Sequence, residues 1–261
     1  LALNNNVPPI LMASLRMGMV MLLLIPFWKF KIPDKKYLKS LILFSISMGV
    51  MVYVFMNLSL KHSSFISPII IGAQLAVPFA VLLSAKMIGE SISAKKWMYV
   101  ILAFVGIIIV FFDPELKNNL LGLFFASLMA LFFAIAQVYS RQLKELSLII
   151  LNAYTGFFGF FVLIVVSFFV EGEVIINIKN INFESWILIS YQAVIVSLFA
   201  HMSMFYLYKF YTVGQIFPFY SLFPIFGIIL TFLIFGEIPS LLFFIGSFIV
   251  ISSVILLQKT K

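Results

Sequence analysis

Nine runs of sixteen to twenty-five mostly apolar residues lie almost end to end in this chain of 261. They are Ile10–Phe27, Leu41–Leu60, about Phe65–Met87, Trp97–Phe112, Leu120–Tyr139, Leu146–Val170, Trp186–Tyr208, about Gly214–Phe235 and Ser240–Leu257. Roughly twenty apolar residues in an α-helix cross the hydrocarbon core of a bilayer. The strands of a membrane barrel would instead alternate apolar and polar residues, and a run such as Leu120–Ala136 does not alternate. With 64% hydrophobic and 10% charged residues and a mean hydropathy of +1.19, the chain carries more apolar surface than water tolerates. Soluble averages are roughly 45–50% and about 25%. The expected fold class is an all-α polytopic membrane protein.

Two of the runs resemble each other. Lys61–Glu90 reads KHSSFISPIIIGAQLAVPFAVLLSAKMIGE, and Lys209–Glu237 reads KFYTVGQIFPFYSLFPIFGIILTFLIFGE. Each opens on Lys and hydroxyl residues, passes through a Pro-interrupted apolar run and stops at Gly-Glu, with another helix-length run behind it. The Gly-Glu pairs are 147 positions apart (236 − 89) and the lysines 148 (209 − 61), one residue having been gained or lost. The start of the first run, PPILMASLRMG, also parallels LSLIILNAYTG in the second half. A fixed offset of this kind is the mark of an internal duplication, with residues 1–115 as one repeat and 116–261 as the other. The first repeat holds four spans and the second five. The partner of Leu120–Tyr139 would precede Leu1, so the chain is expected to lack one N-terminal helix, as a truncated piece would.

Charge sets the expected topology. Threading nine spans puts thirteen Lys and Arg on one side, including the Lys29–Lys39 cluster, Lys95-Lys96, Lys144 and Lys261, and three on the other. Arg16 lies within a span. Excess Lys and Arg mark the cytoplasmic face, so the C-terminus is expected inside, and Asp113–Lys117 and Glu171–Glu184 outside. The +8 net charge thus reflects membrane orientation, and no nucleic acid partner is expected. The two halves enter the membrane with opposite sense, an arrangement typical of secondary transporters.

These residues resemble the drug/metabolite transporter superfamily, in particular its EamA-type branch. The resemblance rests on PPILMASLR in the first span, on the doubled helix ending in Gly-Glu, and on FPFYSLFPIFGIILTFLIFGE in the second half. The piece GAQLAVPF is similar to the corresponding part of amino-acid-metabolite exporters. It implies ten helices, five plus five inverted, nine of them visible here, with both ends cytoplasmic and one central substrate cavity.

Polar side chains inside hydrocarbon are costly and usually face a bundle interior or a cavity. The intramembrane polar candidates are Arg16, Asn57, Gln74, Gln137, Asn152, Gln192, His201 and Tyr220, of which Arg16, Gln74, Gln137, Gln192, His201 and Tyr220 are the expected substrate-binding residues. Arg16 lies roughly 9 Å along its helix from Ile10 and keeps its charge; it suits a substrate carboxylate, or it snorkels. Gln74 with Pro78 and Tyr220 with Pro224 each share a face by i,i+4 spacing. Pro78, Pro218 and Pro224 remove backbone donors and are the expected hinges or helix breaks. The competing reading of the amides and Tyr220 is glue between helices. His201 either carries a proton near neutral pH or packs as a neutral ring. Glu90 and Glu237 precede helix N-termini, where a carboxylate is favoured by the dipole, so turn fixing outweighs ion coupling.

The chain has no cysteine, and no Walker A, Ser/His/Asp or HExxH pattern, so no cofactor, metal or enzymatic activity is expected. The expected function is export of a small metabolite, an amino acid or derivative, by alternating access from a bacterial inner membrane. The expected partners are the small-molecule substrate, the lipid bilayer and, for coupling, protons. Alternatives are a nucleotide-sugar or cofactor-metabolite exchanger and, in a different class, a membrane enzyme or subunit acting on lipid.

Overall fold

In hydrocarbon every backbone N–H and C=O must be satisfied within the protein. The computed structural model describes residues 7–89, 92–172, 174–210, 223–236, 238 and 240–260, and among these regular structure is helical throughout. Among the described residues eight helical spans are long and apolar enough to cross a membrane, by length and composition. The ninth expected span, 214–235, is described only over Phe223–Phe235.

The helices are α1 (Pro9–Trp28), α2 (Lys35–Lys61), α3 (Ser67–Ala73), α4 (Ala76–Ile88), α5 (Ala94–Phe111), α6 (Leu120–Gln142) and α7 (Leu148–Val170). A short helix, Val174–Lys179, then leads into α8, which runs through Phe183–Tyr191, Gln192–His201 and Met202–Phe210. Last come α9 (Phe223–Phe235) and α10 (Leu241–Lys259). Their starts follow from side-chain caps: Asn182 Oδ1 accepts from Ser185 N at 2.8 Å, and Ser240 Oγ from Phe243 N at 3.0 Å. Such a cap supplies an acceptor to an N–H that has no partner in the first turn.

The glycines of the two Gly-Glu pairs prove to be helix stops. Gly89 (φ 78°) and Gly236 (φ 67°) adopt the left-handed conformation, and each N–H closes the preceding helix, on Ala85 and Phe232. Four residues after each glycine a serine starts the next helix, Ser93 for α5 and Ser240 for α10. Glycine is required for its backbone alone, since a Cβ at either position would meet nothing within 4 Å. Glu90 and Glu237 lie outside the described residues.

Two compact units form. The first comprises Leu1–Val54 and Tyr139–Phe210, the second Phe55–Val138 and Tyr211–Lys261. The first unit is organised on α1 and α7, its most extensive helix pair, with α2 and α8 against them. The second is organised on α5 and α10. In each case the central pair joins one helix from each repeat. Both pairs run antiparallel. Glu171, just past the end of α7, accepts hydrogen bonds from the first amides of α1, Ile10 N at 2.7 Å and Leu11 N at 2.9 Å. Asp113, just past the end of α5, bonds Ser240, the cap of α10.

Small residues bring these backbones together. A Cβ on Gly156 would lie 3.0 Å from Met17 O, and one on Gly246 would lie 2.7 Å from Gly106 O. Lipid tails are as apolar as leucine, so close van der Waals packing replaces the hydrophobic effect as the driving force between spans.

The first signature helix is interrupted. It stops as α3 at Ala73 and restarts as α4 at Ala76, with Gln74 and Leu75 between them in a tight turn, Leu75 N bonding Gly72 O at 3.1 Å. Pro78 follows Gln74 by four residues, the position whose carbonyl a proline ring displaces. The break therefore falls one turn ahead of the proline.

Candidate functional site

Four helices of the first unit enclose a small polar cavity of about 10 Å³, lined by Met17 and Val20 of α1, Met48 and Tyr53 of α2, Asn152 and Thr155 of α7, and Ser197 and His201 of α8. A space of that size admits about one water-sized group. It is smaller than any metabolite.

Arg16 adjoins this cavity through two of its lining residues. Its side chain is 6% exposed. The Nε–H donates to Ser197 Oγ at 2.9 Å, and the guanidinium carbon stands 4.9 Å from the centre of the Tyr53 ring. Nη2 is buried and makes no hydrogen bond. A guanidinium over an aromatic face gains a cation–π attraction of the order of 1–2 kcal/mol, which partly offsets burial and leaves a full positive charge in place. No acidic side chain among the described residues is paired with it.

The other polar residues present acceptors. Asn152 Nδ2 donates to Leu148 O at 2.9 Å, and Thr155 Oγ1 donates to Leu151 O at 2.8 Å. With one amide hydrogen of Asn152 and the hydroxyl hydrogen of Thr155 used inside α7, each side chain still has oxygen lone pairs to offer. The site thus combines one unsatisfied cationic donor with neutral acceptors, the complement of a group that is anionic at one end and carries N–H or O–H at the other.

Of the residues expected from the sequence, Arg16 and His201 come together here, with Asn152. Gln192 opens the irregular segment of α8 that carries Ser197 and His201, and is half-buried. Gln74 and Gln137 belong to the second unit, both buried. Gln74 is 1% exposed, and neither its amide oxygen nor its nitrogen has a hydrogen-bond partner. Pro78 lies in α4 and Pro224 is buried at the start of α9. Tyr220 and Pro218 lie outside the described residues. Sequence reasoning missed Tyr53, Thr155 and Ser197. Spacing offered a signal for two of them, because Thr155 follows Asn152 by three residues and Ser197 precedes His201 by four, which puts each pair on one helix face.

One solved crystal structure, described only as that of a protein, is similar to this chain with a TM-score of 0.66, covering 98% of this chain and 89% of its own, at 14% identity. At that identity the likeness speaks to the fold alone. No curated protein matches the chain. The sequence profile of the EamA-like transporter family, however, matches it twice, over residues 1–112 and 120–258. With two repeats of membrane-spanning helices and a polar cavity among them, the chain belongs to the EamA-like transporter family, whose members are membrane transporters of small molecules.

Proposed function

We propose that the protein is a secondary transporter of a small metabolite bearing a carboxylate, an amino acid or close derivative, which it exports by alternating access through the cavity of the first unit. The observation that carries this reading is Arg16 Nη2, a buried charged donor without a partner. An arginine at the centre of a spanning helix costs about 2.5–3.5 kcal/mol on insertion scales, and a carboxylate supplies the missing counter-charge in a charge-assisted hydrogen bond. The acceptors Asn152 and Thr155 suit the ammonium of a zwitterion. The orientation proposed from loop charges puts the C-terminus in the cytoplasm of a bacterial inner membrane. His201 lines the cavity beside Asn152 and Ser197, and it is the residue through which a proton would couple.

Reconstitution into liposomes tests the reading. Vesicles preloaded with a mixture of unlabelled amino acids should accumulate their labelled counterparts by counterflow. Arg16→Gln should weaken binding by about ten- to a hundredfold, corresponding to about 1.5–3 kcal/mol for a hydrogen bond to a charged group. Counterflow by Arg16→Gln equal to that of the wild type, at equal incorporation, would remove the carboxylate from this proposal.

A further inference from the structure

The second span seen in the first repeat, α2, and its equivalent in the second repeat, α8, depart from α-helical geometry at the same place. Within α2, Ser47–Met51 is π-helical, and the Val52 N–H bonds the Ser47 carbonyl five residues back. Within α8, Gln192–His201 is π-helical. The repeat relates Lys35 to position 183 and Lys61 to Lys209, an offset of 148. Under it, Ser47–Met51 falls on residues 195–199, inside the second π segment. π-Helical turns are rare and concentrate at functional sites. Two of them in one register of a duplicated fold belong to the architecture and are not local accidents.

The two turns are not used alike. Gly49 and Ser197 are equivalent at that offset. Gly49 presses its backbone on α7, where a Cβ would lie 2.7 Å from Thr155 O and 3.5 Å from Gly159 Cα. Ser197 faces α1 and accepts the Arg16 Nε–H. Arg16 in turn corresponds to Tyr154 of α7 when PPILMASLRMG is laid on LSLIILNAYTG. Equivalent turns therefore lie against equivalent helices, and chemistry has been placed in only one of the two contacts.

We propose that Ser197, presented by the π-helical turn of α8, is the positioning residue of the Arg16 site. Its hydroxyl fixes Nε on one edge of the guanidinium while Tyr53 covers a face, and Nη2 is thereby held in place for the carboxylate of the cargo. Successive residues of a regular α-helix are turned by about 100°, so a one-residue change of register in this segment would carry the hydroxyl away from Nε and loosen the site. The proposal rests on the reading that Arg16 binds a carboxylate.

The chain has two arginines, Arg16 and Arg141, so Arg141→Lys leaves Arg16 as the single target of phenylglyoxal. In the reconstituted full chain, acetate as the minimal carboxylate should protect Arg16 from modification, and acetamide should not. Ser197→Ala should raise the half-protecting acetate concentration by about tenfold. Ser197→Thr, which keeps a hydroxyl, should restore it, and Ser190→Ala should leave it unchanged, since Ser190 bonds the Trp186 carbonyl of its own helix. If Ser197→Ala does not fold, Ser197→Cys, a weaker acceptor, takes its place with the same expectation. Acetate protection in the wild type that survives Ser197→Ala or Ser197→Cys undiminished overturns the positioning role and leaves the Arg16 reading intact. Absence of acetate protection in the wild type overturns both.

Discussion

The α1–α7 and α5–α10 pairs have the same construction and opposite uses. Each joins repeat-equivalent helices antiparallel, each is brought close by glycine, and each has an acidic residue past the end of one helix bonded at the start of the other. In the α5–α10 pair the repeats coincide. The buried residues Val100, Ala103, Gly106, Ile107 and Val110 of α5 fall, 147 positions on, on Ser247, Val250, Ser253, Val254 and Leu257 of α10, all buried too. In the α1–α7 pair Ala13, Ser14, Met17 and Gly18 likewise fall, 138 positions on, on the buried Leu151, Asn152, Thr155 and Gly156, but one position departs. Arg16 is buried, while its counterpart Tyr154 is half-buried among the rings of Trp28 and Phe158. Both pairs pack closely, but only beside the position where the patterns part lie a polar cavity and a charge that no described acidic side chain pairs.

The difference in packing gives the largest expected effect. At Gly246 an added Cβ would lie 2.6 Å from Val110 Cγ2 and 2.7 Å from the Gly106 carbonyl, and backbone cannot swing aside. At Gly18 of α1 it would meet only the Phe160 ring, at 2.7 Å. Overpacking typically costs about 1–3 kcal/mol, so Gly246→Ala should sit near the top of that range and Gly18→Ala near or below its foot. Thermal midpoints in detergent measure both, and equal shifts would erase the distinction between a glycine set against backbone and one set against a ring.

A smaller effect is expected at the tie between α7 and α1. Glu171 is held by Ser167 Oγ at 2.7 Å and accepts two amides at the positive end of α1, a helix without a side-chain cap of its own. Carboxylates at such ends contribute up to about 2 kcal/mol when partly buried. Glu171→Gln should therefore lower the midpoint by an amount corresponding to about 1–2 kcal/mol, and an unchanged midpoint would make the contact incidental. The smallest effect concerns the helix stops. Gly89→Ala and Gly236→Ala should each cost about 1 kcal/mol, because a left-handed backbone disfavours any Cβ and nothing else is near. Unequal costs would mean that the two stops, alike in sequence, are held differently.

Parts of this were legible beforehand. Hydropathy gave the spans, the 147-residue offset gave the repeat, and cost in hydrocarbon singled out Arg16 and His201. Pro78 pointed to a weakened helix, although the interruption lies at Gln74–Leu75, where the proline's missing hydrogen bond is felt. The π-helical turns were not legible. Nothing in SMGVM or QAVIVSLFAH distinguishes a five-residue from a four-residue hydrogen-bond step, because the choice is made by what packs alongside. Nor was the pairing of Ser197 with Arg16, which joins residues 181 positions apart.

The sequence by itself determined the local order of this protein: which segments span, where glycine stops a helix, where serine starts the next, and that the whole is duplicated. In hydrocarbon each span must satisfy its own backbone, so these features depend on neighbouring residues alone. Tertiary structure decided which spans meet and which polar groups share a cavity. Lipid and protein interior are equally apolar, so hydropathy cannot tell a lipid-facing side from a packed one. The close approach of glycines and the fit of one helix on another settle that, and with it the placing of Arg16 beside Tyr53 and Ser197.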